Sequence, residues 1–243
     1  MSMKIAILSD IHGNLSALKN VLEDADRMGA EKLVLLGDII DYGMHSNEVI
    51  DILKDTEDRI ICNIWGNHEY AIMKEEYTRF SSERGSVSAK HTRSILSGDS
   101  FDYITKRMDS NGKTELTLDG KKILCVHGNM SDNYWKAIDI SSDLLPYYEY
   151  DYVMSGHSHI PHCFDYFYKV DDQRMRNKKK CIFINPGSVG QPRNHNNRAQ
   201  YCLLDVITGN IEMRKVEYDI QSEMDAFDGS VDDFYRIRLR DGI

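Results

Sequence analysis

Lys4-Ile5-Ala6-Ile7-Leu8-Ser9-Asp10-Ile11-His12-Gly13-Asn14 is the stretch on which the reading of the fold turns. A short aliphatic run reads as a buried strand, and it ends abruptly on Asp10, His12 and a glycine. Outward from it, Asn14–Met28 carries Leu15, Leu18, Val21, Leu22 and Ala25 at helical spacing, and Gly29 closes the helix. Lys32–Leu36 is a second buried strand. Ser46–Leu53 is a helix with Val49, Ile50 and Leu53 on one face, and Arg59–Trp65 is a third strand. This alternation predicts βαβαβ units with parallel strands and right-handed crossovers.

From about residue 67 to 109 the chain reads as polar helix. The texture then changes. Thr114–Leu118 and Lys122–His127 flank Asp119-Gly120, a strong hairpin signal. Further strands are predicted at Tyr152–Ser155, Cys163–Val170, Cys181–Asn185, Tyr201–Val206 and Ile211–Tyr218, the last two joined through Thr208-Gly209-Asn210. Two sheets face to face with helices outside use all these pieces, as one α/β domain over residues 1–243. The polar stretch Asp171 to Lys180 reads as a solvated hairpin tip. The charged segment from about Gln221 to Ile243 has no motif, and a cap or a partner contact is the expectation for it.

Composition narrows the function. Thirty Lys+Arg against 39 Asp+Glu give a net charge of −9, which argues against a broad nucleic-acid or anionic-membrane footprint. No apolar run is long enough to span a bilayer, and no secretory leader pattern opens the sequence. The five cysteines, Cys62, Cys125, Cys163, Cys181 and Cys202, form no CxxC pair. They are expected to be reduced core thiols in a cytoplasmic protein.

The chemistry lies where strands end. The predicted strands run into Asp10-Ile11-His12-Gly13, Gly37-Asp38-Ile39-Ile40-Asp41, Gly66-Asn67-His68-Glu69, His127-Gly128-Asn129 and Gly156-His157-Ser158-His159. In open α/β sheets ligands bind at the carboxyl ends of strands, and glycine lets the backbone approach them closely. A single Asp-x-His pair is usually a turn cap. Five such loops in one chain, holding five of the nine histidines, point to a shared centre, whereas His45, His91, His162 and His195 have no such context. The donors Asp10, His12, Asp38, Asn67, His127, His157 and His159 are imidazole, carboxylate and amide, without thiolate. That set favours divalent Mn, Fe, Ni or Zn, with Mn or Fe preferred. It is too large for one tetrahedral ion and suits two ions sharing a carboxylate.

The ordered series Asp10-x-His12, Gly37-Asp38-x-x-Asp41, Gly66-Asn67-His68-Glu69, His127 and Gly156-His157-x-His159 resembles the calcineurin-like metallophosphoesterases. Asn185-Pro186-Gly187-Ser188-Val189-Gly190-Gln191-Pro192-Arg193 resembles a loop of the small bacterial phosphodiesterases in that superfamily. The resemblance implies a four-layer αββα sandwich with two mixed sheets and a two-metal centre at its edge. By position, Asp10, His12, Asp38 and His159 hold the first ion, Asp38 bridges, and Asn67, His127 and His157 complete the second. His68 faces substrate and protonates the leaving oxygen, and Asp41 orients it.

The implied reaction is hydrolysis of a small or nucleotide phosphodiester by a metal-bridging hydroxide, without a covalent phosphoenzyme. An asymmetrical dinucleoside polyphosphate hydrolase is the alternative, and a non-catalytic scaffold on the same fold is the rival of another class. Nucleic acid and membrane are not expected partners. The relatives that act on phosphoproteins carry Asp-Arg-Gly where this chain has Asp41-Tyr42-Gly43. The missing arginine turns the reading toward diesters, with Arg193 as a substitute cation for substrate. Tyr42, Trp65, Tyr147, Tyr148, Tyr150 and Tyr152 read as packing, with base stacking as the alternative.

Overall fold

Alternation along the first strand sets the layering. Ile5 and Ile7 point into one buried cluster, Ala6 and Leu8 into another, as a two-residue period requires of a strand buried on both faces. The computed structural model describes residues 3–176 and 178–243. In chain order its elements are β1 (Lys4–Leu8), α1 (Leu15–Arg27), β2 (Lys32–Leu35), α2 (Ser46–Asp55), β3 (Ile60–Asn63), α3 (Asn67–Lys74), α4 (Glu83–Ile95) and α5 (Gly98–Arg107). There follow β4 (Lys113–Leu118), β5 (Lys121–Val126), β6 (Tyr152–Ser155), β7 (His162–Phe167), β8 (Lys180–Asn185), β9 (Ala199–Asp205), β10 (Ile211–Val216), α6 (Ile220–Asp225) and α7 (Asp233–Asp241).

The strands form two mixed five-stranded sheets, ordered β10-β9-β1-β2-β3 and β4-β5-β6-β8-β7. β1, β2 and β3 are parallel, as are β5, β6 and β8, while β9, β10, β4 and β7 pair antiparallel. Between the sheets lie Ile5, Ile7, Val34 and Leu36 from one side and Ile123, Cys125, Met154 and Ile184 from the other. Beyond the first sheet, Leu18, Val21, Val49, Leu53, Ile72, Ala89 and Ile104 bring α1 to α5 onto its outer face. The outer face of the second sheet is covered by the 129–150 segment, through Ile138, Leu144, Tyr147 and Tyr150.

The expected elements are present with shifted ends. β3 is shorter than Arg59–Trp65 because Glu57–Arg59 forms a 3-10 turn ahead of it. Asp119 and Gly120 both take positive φ, 48° and 73°, in a two-residue turn that pairs Leu118 with Lys121. The 171–180 tip joins β7 to β8 and includes a 3-10 turn at Gln173–Met175. Asn177 lies outside the described residues. One expectation is corrected. Four cysteines are buried, but Cys163 is exposed, because it falls on the outward phase of β7, a strand at the sheet edge. Among the described residues no helix is long and apolar enough to cross a membrane.

Candidate metal centre and active site

Tight turns after the parallel strands deliver the polar groups. Asp10, His12, Asp38, Asp41, Tyr42, His157 and His159 all have φ between 49° and 75°, a left-handed conformation that costs side-chain-bearing residues energy and marks functional loops. The glycines beside them allow contact that no side chain would permit. A Cβ on Gly66 would stand 2.1 Å from Asp38 Oδ1, and one on Gly156 would stand 2.1 Å from Ser9 Oγ. The loops are tied to one another by backbone bonds, with Asp10 N donating to Gly37 O at 3.1 Å and Gly156 N to His127 O at 3.0 Å.

Two groups of donors share Asp38. Asp10, His12, Asp38 and His159 form one set and Asp38, His127 and His157 another, each with its candidate ligand atoms within 4.8 Å of one another. His159 Nε2 is 3.2 Å from Asp10 Oδ1 and 3.3 Å from His12 Nε2. His127 Nε2 is 3.3 Å from Asp38 Oδ2. Asn67 Oδ1 joins the second set, 3.0 Å from His127 Nε2 and 2.8 Å from His157 Nδ1. All seven predicted donors therefore meet at one edge of the two sheets.

The ring nitrogens facing away are occupied. Nδ1 of His12, His127 and His159 donates to the carbonyls of Ile40, Leu36 and Gln191. Each bond fixes a tautomer with the Nε2 lone pair turned inward, the state a metal-binding imidazole needs. Asp10 Oδ1 is buried and accepts no hydrogen bond. A carboxylate oxygen left bare inside a ring of inward imidazoles fits a divalent ion, and so does the oxygen-and-nitrogen character of the set.

The titration of the cluster reflects that crowding. Burial would raise Asp38, but the imidazoles of His127 and His68 outweigh it and hold the carboxyl well below its ordinary value. Burial works equally against the imidazolium of His127, yet Asp38 and Asp10 lift it to about 9. Burial and the neighbouring His127 push His157 down to about 4. Burial also lowers His159, helped by the charge of Arg193.

The side chain of His68 makes no hydrogen bond to the seven donors, while its backbone N–H donates to Asp38 Oδ1 at 2.8 Å. Its Nδ1–H donates to Asp41 Oδ2 at 2.6 Å, and its Nε2 is 3.9 Å from Asp38 Oδ2. Asp41 Oδ1 accepts from Ser88 Oγ at 2.6 Å and Thr92 Oγ1 at 2.8 Å, four residues apart on α4. Burial disfavours the His68 imidazolium, but Asp38 and Asp41 raise it above its ordinary value. The ring opens on a cavity of about 280 Å³ lined also by Asp38, Asn67, His157, His159, Tyr42, Arg79, Phe80, Trp135 and Arg193.

A family model of the calcineurin-like phosphoesterase superfamily domain matches residues 3–209. The chain belongs to the calcineurin-like phosphoesterase superfamily. It is 32% identical over 229 residues to an uncharacterised protein of Methanocaldococcus jannaschii, covering 89% of this chain and 88% of that one. It is 25% identical over 211 residues to the phosphodiesterase YfcE of Escherichia coli, covering 84% and 88%. Among solved structures, a metallophosphoesterase from Sphaerobacter thermophilus aligns over 100% of both chains with a TM-score of 0.77 and 25% identity. A hypothetical protein from Pyrococcus horikoshii aligns over 99% of both with a TM-score of 0.82 at 19% identity, a likeness of fold.

Several residues at this candidate site carried no clear signal in the sequence. Glu69 stood in a quoted motif without a role, yet its carboxylate accepts from the backbone N–H groups of Asp38, Ile39 and Gly66, each at 2.8 Å, and from Ile40 at 3.3 Å. It is the buried group that ties the second and third loops together. Ser88 and Thr92 had only their four-residue spacing as a signal. Phe80, Arg79 and Trp135 had none, because they come from loops whose approach to the site is decided by tertiary packing. Of the aromatic candidates, Trp65, Tyr147, Tyr150 and Tyr152 are core residues and Tyr148 is exposed. Tyr42 alone lines the cavity, its ring 4.4 Å from His68 and 4.6 Å from His12.

Proposed function

We propose that this chain is a metal-dependent hydrolase of phosphoesters, acting on a small or nucleotide phosphodiester. Asp10, His12, Asp38 and His159 would hold one divalent ion, and Asp38, Asn67, His127 and His157 a second, with Mn or Fe favoured by the mixed imidazole and oxygen donors. When bound, such ions supply Lewis acidity that lowers the pKa of water and neutralises phosphoryl charge.

The chain's own part is proton management and positioning. His68 carries a proton on Nε2 toward the cavity, where the departing oxygen of the ester would lie. Asp41 holds the ring through Nδ1 and, together with Asp38, raises its pKa above the ordinary imidazole value, which favours the acid form. Tyr42 and Phe80 flank that ring, with Phe80 at 4.9 Å, and limit access of bulk water. Arg193 at the cavity wall presents a cation to the phosphoryl oxygens.

The observation that carries this reading is the His68–Asp41 pair opening onto the same cavity as both donor sets. A scaffold has no use for an oriented, charge-stabilised imidazole at that point. An asymmetrical dinucleoside polyphosphate hydrolase is the second reading, supported by the aromatic Phe80 and Trp135 beside the cationic Arg79 and Arg193. The free thiols, one of them exposed, fit a reducing compartment such as the cytoplasm. The packing of Tyr235 against Tyr42 supports one functional domain across residues 1–243.

The test is a hydrolysis panel of bis-p-nitrophenyl phosphate, p-nitrophenyl phosphate, diadenosine tetraphosphate and single-stranded DNA, each with Mn and with EDTA. Turnover of the diester that EDTA abolishes is expected. No turnover on any of the four, with metal shown to be bound, would leave the scaffold as the better account.

A further inference from the structure

Beside His68 the lining of the cavity is aromatic. The Phe80 ring lies 4.9 Å from the His68 ring, and the Trp135 ring lies 5.7 Å from Phe80. A large aromatic side chain that only packs is closed over, as Trp65 and Tyr147 are at 3% and 2% exposure. Phe80 and Trp135 are half-buried, and both face the cavity together with His68. Tyr42, the other aromatic on the His68 ring, is 8% exposed beneath Tyr235.

Local structure places the two rings. Phe80 comes from the connection between α3, which carries Asn67 and His68, and α4. A Cβ on Gly85 would stand 3.3 Å from Phe80 Cβ and Cδ1, so the missing side chain in the first turn of α4 gives the ring its seat. Trp135 comes from the loop after His127. Asn129 Oδ1 accepts from Asp132 N at 2.9 Å, and Asp132 Oδ1 from Trp135 N at 3.0 Å. These two turns fold the chain back toward the cavity. The Arg79 guanidinium lies 4.9 Å over the indole and 5.4 Å over Tyr70 of α3, which ties the indole to α3. Phe80 and Trp135 meet at 80°, so a planar ring can stack on one and meet the other edge-on.

We propose that Phe80 and Trp135 bind the leaving alcohol of the ester, and that this alcohol carries a planar heterocycle, as a nucleoside does. His68 marks the leaving side, because its Nε2 protonates the departing oxygen, and Phe80 continues that side outward to Trp135. In the reaction the oxygen of water bonds to phosphorus. The P–O bond to the alcohol breaks with its electron pair, the freed oxygen takes the His68 proton, and a proton from the water restores it. The assignment rests on the phosphoesterase reading of the same cavity and narrows the substrate to diesters with a base on the leaving side. Stacking contributes binding and is indifferent to which base is present.

The methyl ester of adenosine 5′-phosphate tests this, since either of its two alcohols can leave. Early in the reaction, adenosine with methyl phosphate is expected to exceed AMP with methanol by about tenfold or more. AMP as the main product would seat the base on the retained side and overturn the assignment. With ribose in place of adenosine, wild-type kcat/KM is expected to fall by about tenfold, and Trp135→Ala should treat the two esters alike. Equal losses on both esters in Trp135→Ala would leave the indole a structural role only. If that variant melts far below wild type, Trp135→Leu makes the same comparison. Binding is read without turnover from tryptophan emission. The chain has two tryptophans, and Trp65 is in the core. AMP is expected to quench emission that ribose 5-phosphate leaves unchanged, and Trp135→Phe should remove the quenchable part. An equal response to the two anions refutes the aromatic site. No turnover of either ester with metal bound would sink the phosphoesterase reading, while the AMP titration still decides whether Trp135 meets a base.

Discussion

In the proposed reaction, His68 would separate binding from chemistry at the level of a single side chain. Its Nε2 stays 3.9 Å from Asp38 Oδ2 and its ring is fixed through the other nitrogen, and the backbone N–H that bonds Asp38 survives substitution, so His68→Asn is expected to leave metal content intact. Its turnover should fall by about 10²–10⁴-fold on esters with alkoxide leaving groups and far less on p-nitrophenyl esters, whose leaving group needs no proton. Equal losses on both ester types would remove the acid role. Because Asp38 and Asp41 raise His68 above its ordinary pKa, the acid form is present below that value and is lost as pH rises through it. The alkaline limb of kcat is therefore expected to move to lower pH in Asp41→Asn, where one of the two raising charges is gone. A pH–rate profile measures that shift, and a merely structural role for Asp41 would lower the plateau without moving the limb. The seven donors were readable because each lies in a short loop that follows an aliphatic run and contains a glycine. Glu69, Ser88 and Thr92 were not, because a side chain that holds a loop through backbone N–H groups, or a carboxylate through a hydroxyl, leaves no pattern of spacing in the chain.

At the level of elements, α1 is joined to the first sheet by more than apolar contact. Asp24 on α1 accepts from Tyr201 Oη on β9 at 2.8 Å and from Arg214 on β10 through Nε at 3.0 Å and Nη2 at 2.9 Å. Burial would raise this carboxyl, but the Tyr201 hydroxyl and the Arg214 guanidinium more than offset it and hold it below the ordinary value of 3.8. A depressed carboxyl stabilises the fold above its unfolded pKa, and the contribution is lost as pH falls through the folded one. Asp24→Asn is expected to cost about 1–3 kcal/mol at pH 7. The gap to wild type should begin to close below about pH 4, where Asp24 of the unfolded chain gains a proton, and close further as pH falls through the depressed value of the fold. Urea melts across that range measure it, and a pH-independent gap would assign the effect to packing. The helix itself was legible from Leu15, Leu18, Val21, Leu22 and Ala25, since a 3.6-residue apolar period needs no tertiary information. The Asp24 network was not, for its partners lie 177 and 190 residues away. The ends of β3 and β7 shifted for a similar reason: strand length is set by the neighbours available to pair with, and apolarity runs on past them.

Across the whole molecule, both sheets and the C-terminal helices converge on one buried set of charges. β1, β2 and the β3–α3 junction deliver Asp10, Asp38 and Asn67, β5 and β6 deliver His127 and His157, and α7 closes the wall through Tyr235 on Tyr42. The two-sheet architecture was legible from the alternating aliphatic runs and the Asp119-Gly120 turn. The placement of α7 was not, since its charged surface carries no period that points to a partner. Through this convergence, a metal bound as proposed would be coupled to the stability of the entire fold. Without an ion, His127 lifted to about 9 and the depressed Asp38 hold each other as an internal ion pair. The raised imidazole contributes stability fully below its unfolded value of 6.5 and loses it as pH rises through 9, while the depressed carboxyl contributes above its unfolded value of 3.8. A ligand imidazole must give up its proton, so divalent binding between about pH 7 and 8.5 is expected to release protons. Calorimetry in buffers of different ionisation enthalpy counts them. Free Mn at a hundredfold over its dissociation constant stabilises a native state by about 2.7 kcal/mol, which for a chain of this length raises Tm by about 5–11 °C. EDTA should reverse the shift in wild type. Asp38→Asn, which removes the carboxylate common to both donor sets, should melt at one temperature with or without Mn, and a full Mn shift in that variant would show that the ion binds elsewhere.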